Sequence, residues 1–348
     1  MNDSKILLTG ATGFIGFTIL TRLINAGYSF IRVVIRDATK QRTLMEDLRL
    51  DQYKAPGNLS FIVIPDFTKA SAWGTALKDI THVIHTASSL PYPHLDPMRD
   101  IYEPNVAIQD ALLAAAEQCS TLKRVVLTSS IVAAMPPLPR TSPVVYTADQ
   151  RLATPTPPFT DIPNAYQAAK IRCLNSSRDL REKPGTRFEV VNVLPGYVMG
   201  AVAGAREAGE MATSSNSILL NIVTGMHYPS DVKLSGAAAH VDDVAAVHVK
   251  ALEDSILGNK DYAVATPMRW NDVISVSKEQ FPKAFLGGWL QEGRVETRET
   301  EWDVSETEKV FEMKFKEFGD CVKDTVGQYL ELLRKEREED EKEACVVI

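Results

Sequence analysis

The chain is predicted to adopt a doubly wound α/β fold of Rossmann type, a parallel sheet with helices on both faces, followed by a smaller C-terminal lobe. Three observations predict it. Short Val/Ile/Leu-rich runs alternate with helical stretches through the first half, a glycine-rich turn joins the first run to the first helix, and the alternation lapses after Pro195.

Strands are expected over Lys5 to Thr9, Phe30 to Ile35, Leu59 to Ile64, His82 to Thr86, Arg124 to Thr128 and Phe188 to Val193, each a run of β-branched and aliphatic residues. Phe14 to Ala26 and Ile101 to Gln118 carry apolar residues at helical spacing. From Met135 to Pro163 prolines crowd the chain, so a long ordered loop is expected there, crossing the mouth of a site. The predicted organisation is a nucleotide-binding domain over 1–195 with 237–254 packing back on it, a substrate-facing lobe over 196–330, and a charged tail over 331–348. A solvated helix or a frayed end suits the tail's acidic excess.

Composition excludes several classes of function. At 348 residues with 45% hydrophobic and 24% charged residues, the chain is an ordinary globular protein, and a formal charge of -7 argues against nucleic-acid binding. The partner expected is a small molecule. No apolar run is long enough to span a bilayer and no signal-peptide core follows Met1, so a cytoplasmic location is expected. Cys119, Cys173, Cys321 and Cys345 show no C-x-x-C pairing, which argues against a metal site or a disulfide framework.

The turn Thr9-Gly10-Ala11-Thr12-Gly13-Phe14-Ile15-Gly16 lies between a strand and a helix, the context in which such glycines seat a dinucleotide. Gly10 allows the tight turn, Gly13 lets the pyrophosphate approach, and Gly16 lets helix pack on strand, with Thr12, Phe14 and Ile15 completing the seat. Arg36 ends the second strand, where a carboxylate would accept from both ribose hydroxyls and a cation accommodates a 2′-phosphate. With Lys40 or Arg42 as a second cation, the expectation is NADP(H), although Asp37 is adjacent. Asp66, after the third strand, either accepts from the adenine amino group or closes a turn. His85-Thr86-Ala87-Ser88 places the small Ala87 and Ser88 where backbone passes the ribose and pyrophosphate, and His85 reads as a packed, hydrogen-bonded residue.

Tyr166 and Lys170, four residues apart in Asn164-Ala165-Tyr166-Gln167-Ala168-Ala169-Lys170, fall on one face of a helix. Reducing a carbonyl requires a proton on oxygen as well as a hydride on carbon, and a phenol beside an ammonium is a suitable general acid. A hydroxyl that orients the carbonyl oxygen is expected from Ser130, at the end of Val125-Val126-Leu127-Thr128-Ser129-Ser130, with Ser129 and Thr128 as competitors.

Together these residues resemble the extended short-chain dehydrogenase/reductase superfamily over about Lys5 to Leu252. The glycine motif, Thr-Ser-Ser, Tyr-x-x-x-Lys and a later His240-Val241-Asp242-Asp243-Val244-Ala245 stand in that superfamily's order. The similarity is greatest to the branch of dihydroflavonol 4-reductases, cinnamoyl-CoA reductases and fungal aldehyde and methylglyoxal reductases. It implies that Ser130 is the catalytic serine, Tyr166 the acid/base, Lys170 its ribose-binding partner and Arg36 a ligand of the 2′-phosphate. It also implies that Pro195 and Val198 pass the nicotinamide. The expected activity is NADPH-dependent reduction of an aldehyde or ketone, in fungal secondary metabolism or carbonyl detoxification.

The alternatives are a sugar-nucleotide epimerase or dehydratase and a non-catalytic NADP-binding regulator. Ile131 to Met135 after the serine, and Arg206 as the sole arginine of 196–236, weigh against an epimerase. Leu90, Tyr92, Met135, Tyr197 and Met199 are the residues expected to form an apolar substrate pocket. The terminal Cys345-Val346-Val347-Ile348 has the form of a prenylation signal, though acidic residues precede it, so weak membrane attachment through Cys345 is a second expectation for location. Monomer and dimer are equally compatible with the sequence.

Overall fold

The computed structural model describes residues 4–46, 59–136 and 144–346. Seven parallel strands make the central sheet: β1 (Lys5–Thr9), β2 (Phe30–Ile35), β3 (Leu59–Val63), β4 (His82–His85), β5 (Arg124–Thr128), β7 (Glu189–Pro195) and β11 (Asp261–Val264). Their order is β3-β2-β1-β4-β5-β7-β11, so the winding reverses between β1 and β4 and leaves a crevice at the carboxyl ends of those strands. Near-continuous apolar runs suit these strands because both faces are covered.

Helices α1 (Phe14–Asn25) and α7 (Val241–Lys250) pack together on one face of the sheet, where Leu8, Leu20, Val33, Val126 and Val244 share a core. On the other face lie α3 (Ala70–Leu77), α4 (Glu103–Glu117) and α5 (Ile162–Glu182), and Trp73, Leu112 and Val125 are buried there. A short α2 (Thr39–Glu46) follows β2.

Small strands complete the chain's second half. β8 (Tyr197–Met199), β10 (Ala237–His240) and β12 (Thr266–Pro267) form one sheet; β9 (Lys233–Ser235) pairs β13 (Glu296–Arg298), and β6 (Val145–Tyr146) pairs β14 (Glu301–Trp302). With α6 (Asn216–Val223), α8 (Asp272–Gln280), α9 (Pro282–Leu286) and α11 (Phe318–Val346), the strands β8, β9, β10, β12 and β13 surround a separate core that includes Met211, Leu219, Trp270 and Val322. β6 and β14 instead bury Tyr146 and Trp302 in another cluster, and α10 (Ser305–Val310) lies beside β11.

Three sequence expectations change. Residues 261–264, expected in the lobe, supply β11, the edge strand beside β7, because Tyr262 and Val264 bury against the main core. The returning segment is divided: α7 packs on α1, while β10 belongs to the lobe's small sheet. The boundary expected at 330 falls inside α11, where Leu330 and Leu332 are buried in the lobe core, so the tail begins as a packed helix. Val347 and Ile348 lie outside the described residues, and with them the expectation for Cys345. No helix among the described residues is long and apolar enough to cross a membrane.

The proline-rich stretch carries the short β6, its residues 137–143 lie outside the described residues, and α5 begins within its expected range. Asp161 starts that helix by accepting from the Asn164 backbone N–H at 2.9 Å, and Pro163 occupies the first turn, where its missing N–H costs nothing. Ala165, Ala168 and Ala169 are fully buried, so α5 lies close to the sheet and brings Tyr166 and Lys170 to its carboxyl edge.

Candidate active site

A groove of about 660 Å³ opens along the crevice, and the glycine turn, Arg36, Ser130, Tyr166 and Lys170 all line it. Gly10 turns the chain from β1 at φ +74°, and a Cβ there would sit 2.2 Å from Thr86 Oγ1. At Gly16 a Cβ would lie 2.0 Å from the Gly10 carbonyl oxygen, so any side chain would push α1 off β1. Gly13 is the N-cap of α1 and offers no side chain to its first N–H groups, which leaves them available to phosphate oxygens. The shape and donor set of this cradle fit a dinucleotide.

Thr9 joins the ends of β1 and β4. Its hydroxyl accepts from the Thr86 and Ala87 N–H groups at 3.2 and 3.3 Å, so its own proton is directed to His85 Nδ1 at 2.8 Å. His85 is therefore hydrogen-bonded and packed, as expected, and burial with the nearby Lys170 charge pulls its pKa down to about 3.

At the far end, Arg36 and Lys40 both line the groove, and Arg36 is exposed. The Arg42 side chain lies outside the described residues. Asp37 lines the groove beside them, and its carboxylate accepts from the Thr39 N–H at 2.9 Å, a bond that holds it below the usual carboxylate range. Asp66 does not line the groove, contrary to its expected place as a cofactor ligand. Its Oδ1 accepts from the Thr68 N–H at 2.9 Å and hydroxyl at 2.6 Å, the turn role, and Phe67 forms the wall instead. Thr12, Phe14, Ile15, Ala87, Ser88, Pro195 and Val198 are all at the groove.

The three hydroxyls at the end of β5, on Thr128, Ser129 and Ser130, have different surroundings. Thr128 on the α7 side donates to His248 Nε2 at 2.7 Å, because His248 Nδ1 is committed to the Val244 carbonyl at 2.7 Å. Ser129 Oγ is buried and has no hydrogen-bond partner among the described residues. Ser130 is half-buried and accepts one long bond, 3.4 Å, from the Val132 N–H, which leaves its proton to give. Lys170 is 7% exposed; its Nζ donates to the Thr128 carbonyl at 3.4 Å and lies 5.6 Å from the centre of the Tyr166 ring.

Of the five residues expected in the substrate pocket, Leu90 alone lines the groove. Tyr92 is exposed and stacks on His94. Met135 and Met199 are 2% and 0% exposed and belong to cores, and Tyr197 packs edge-on against Trp270. The alternation along β8 is the reason: Val198 faces the groove, so Tyr197 and Met199 on either side of it face the lobe core. Ser89, Ser214 and Ser215 also line the groove, where sequence reasoning did not place them. The only signal for the last two is a run of small polar residues before the apolar start of α6.

His248 is fully buried, and burial pulls its pKa down to about 4. Both histidines are neutral in the fold and take up protons near 6.5 once unfolded, so their contribution is present above that pH and is lost as pH falls toward about 4 and about 3. At about 1.4 kcal/mol per pKa unit, the unfolding free energy is expected to drop by a few kcal/mol between pH 7 and 4.5. Urea titrations across that range check it, and a flat profile contradicts it.

Over residues 6–265 the chain matches a family model described as NAD dependent epimerase/dehydratase family. The chain belongs to the NAD-dependent epimerase/dehydratase family. Ketoreductase CTB6 of Cercospora nicotianae is 32% identical over 353 residues, covering 97% of this chain and 98% of that protein. Putative NADPH-dependent methylglyoxal reductase GRP2 of Candida albicans is 25% identical over 351 residues, covering 94% and 99%. The crystal structure of yeast methylglyoxal/isovaleraldehyde reductase Gre2 complexed with NADPH shares the fold, with a TM-score of 0.79 at 23% identity over 94% of this chain and 98% of that one.

Proposed function

We propose that the protein reduces a ketone or aldehyde to an alcohol with NADPH, and that Ser130, Tyr166 and Lys170 carry the chemistry. The observation that supports this most is that a single groove holds the glycine cradle, two basic side chains at one end and these three residues at the other. The names of the relatives, ketoreductases and an NADPH-dependent reductase, point the same way.

In this reading the start of α1 holds the pyrophosphate, Arg36 and Lys40 take the 2′-phosphate, Lys170 holds the ribose, Ala87 and Ser88 pass the ribose and pyrophosphate, and Pro195 and Val198 flank the nicotinamide. NADPH, when bound, supplies the hydride. Ser130 donates from Oγ to the carbonyl oxygen, which orients it and stabilises the charge it gains. Tyr166 delivers the proton from its hydroxyl to that oxygen, and the Lys170 ammonium stabilises the negative charge left on the phenol. Leu90, Ser89, Ser214 and Ser215 close the groove walls around the substrate. Arg206, the residue a nucleotide diphosphate would need, is exposed and does not line the groove, so a ketone substrate suits the site better than a nucleotide sugar.

The test is NADPH absorbance against a panel of aldehydes, diketones and aromatic ketones. Stoichiometric loss of NADPH with alcohol formation is expected for at least one class. Turnover of a nucleotide sugar without net NADPH consumption overturns the reading. For the cofactor, Arg36→Ala is expected to weaken NADPH about 10- to 100-fold, the worth of a charged hydrogen bond to phosphate, and to leave NADH within about twofold. Equal changes in the two dissociation constants contradict the role of Arg36.

A further inference from the structure

We propose that Gln167 is a positioning residue for this reaction: its side-chain amide ties the turn beginning at Ser130 to the helix that carries Tyr166. The inference rests on the roles assigned above to those two residues.

Ser130 sits beyond the reach of the sheet. The pairing of β5 with β7 ends at Thr128, and the last backbone bond to that neighbour comes from the Ser129 N–H to the Val193 carbonyl at 2.8 Å. After Ser130 the chain makes a short 3-10 turn, Ile131–Ala133, held internally by Ala133 N–H to the Ser130 carbonyl and Ala134 N–H to the Ile131 carbonyl, each 3.0 Å. Those bonds shape the turn but do not attach it to anything. Gln167 does. Its Nε2 donates to the Val132 carbonyl at 2.9 Å and to the Met135 carbonyl at 2.7 Å, so both protons of one amide are spent on the middle of the turn and on the chain just past its end. Two carbonyl acceptors also fix which end of the amide is nitrogen.

Gln167 follows Tyr166 directly on α5, so the bonds that hold the turn originate one residue from the proton donor. The groups that must meet the same carbonyl oxygen, the Ser130 hydroxyl and the Tyr166 phenol, come from elements with no shared ladder. Their separation is set by packing and by this amide. Misplacement of such a pair by about 1 Å costs on the order of a hundredfold in rate.

A double-mutant cycle in the full-length protein tests this. Gln167→Met keeps the length of the side chain and removes both donors; Gln167→Asn keeps the amide but shortens its reach, and serves if the first variant folds poorly. The expected result is a fall in kcat for carbonyl reduction of about tenfold or more, with the NADPH dissociation constant within about twofold of wild type. In a Ser130→Ala background the same substitution is expected to cost less than about twofold, because the hydroxyl it places is gone. A structural role would lower the rate by equal factors in both backgrounds, and that outcome overturns the inference while leaving the reaction intact, as does an unchanged kcat in a folded Gln167→Met. Wild-type turnover by Ser130→Ala alone removes the serine from the reaction and the inference with it, which identifies the underlying reading as the one that failed.

Discussion

Tyr166→Phe is expected to lower kcat/KM for carbonyl reduction by about a thousandfold, within the range that a positioned general acid contributes. The substitution is narrow. The ring remains, so the Lys170 ammonium keeps its place 5.6 Å from the ring centre and its bond to the Thr128 carbonyl. Lys170 is buried against α5 and β5, and its position depends on backbone, not on the phenol oxygen. NADPH binding, followed by fluorescence, should therefore survive within a few-fold while single-turnover oxidation of NADPH all but stops. Lys170→Met differs: in the proposed mechanism it removes the charge that stabilises the phenolate and a ligand of the ribose together, so both binding and turnover should fall. A Tyr166→Phe enzyme within about fivefold of wild type would sink the mechanism, since no other described side chain in the groove combines a dissociable proton with a neighbouring cation.

The fold was legible because its signals are local. β1, the glycine turn and α1 are contiguous in sequence, and two of its glycines are required locally, Gly10 by its positive φ and Gly16 by the approach of the Gly10 backbone. The i, i+4 spacing of Tyr166 and Lys170 is likewise contained in one helix, and both residues reach the groove with Ser130. The substrate side was not legible because it depends on register and long-range closure. A shift of one residue on β8 exchanges Val198 for Tyr197 at the groove, and nothing in Pro195-Gly196-Tyr197-Val198-Met199 fixes that parity. β11 escaped for the same reason: four residues in a segment without alternation become a sheet edge only because β7 is there to pair with. Asp66 shows the opposite limit, since a carboxylate at the right place after a strand found its partner two residues on, in Thr68.

The largest effect on stability is expected from Asp261→Ala, by about 3–5 kcal/mol, the cost of leaving a buried charge unpaired. Asp261 is 2% exposed and accepts from Arg178 Nε at 2.7 Å, Arg181 Nη1 at 2.8 Å and Asn192 Nδ2 at 2.7 Å. Its two guanidinium partners respond differently to its loss. Arg181 is near the surface and can turn to water, whereas Arg178 is 3% exposed and its Nη atoms donate to the Gln150 carbonyl at 2.9 Å and the Ala148 carbonyl at 2.7 Å. Arg178 can reach solvent only by releasing those carbonyls, and they belong to the segment that runs from β6 toward Tyr166. The penalty thus falls on the attachment of that segment to α5 and on the edge strand β11 at once. Urea denaturation measures the loss, and limited proteolysis should show new cleavage near residues 144–152 in the variant. Because the pair is buried, added salt should leave the difference between variant and wild type largely unchanged. A loss under about 1 kcal/mol, the usual worth of a surface pair, would show that Arg178 finds water without disturbing the loop.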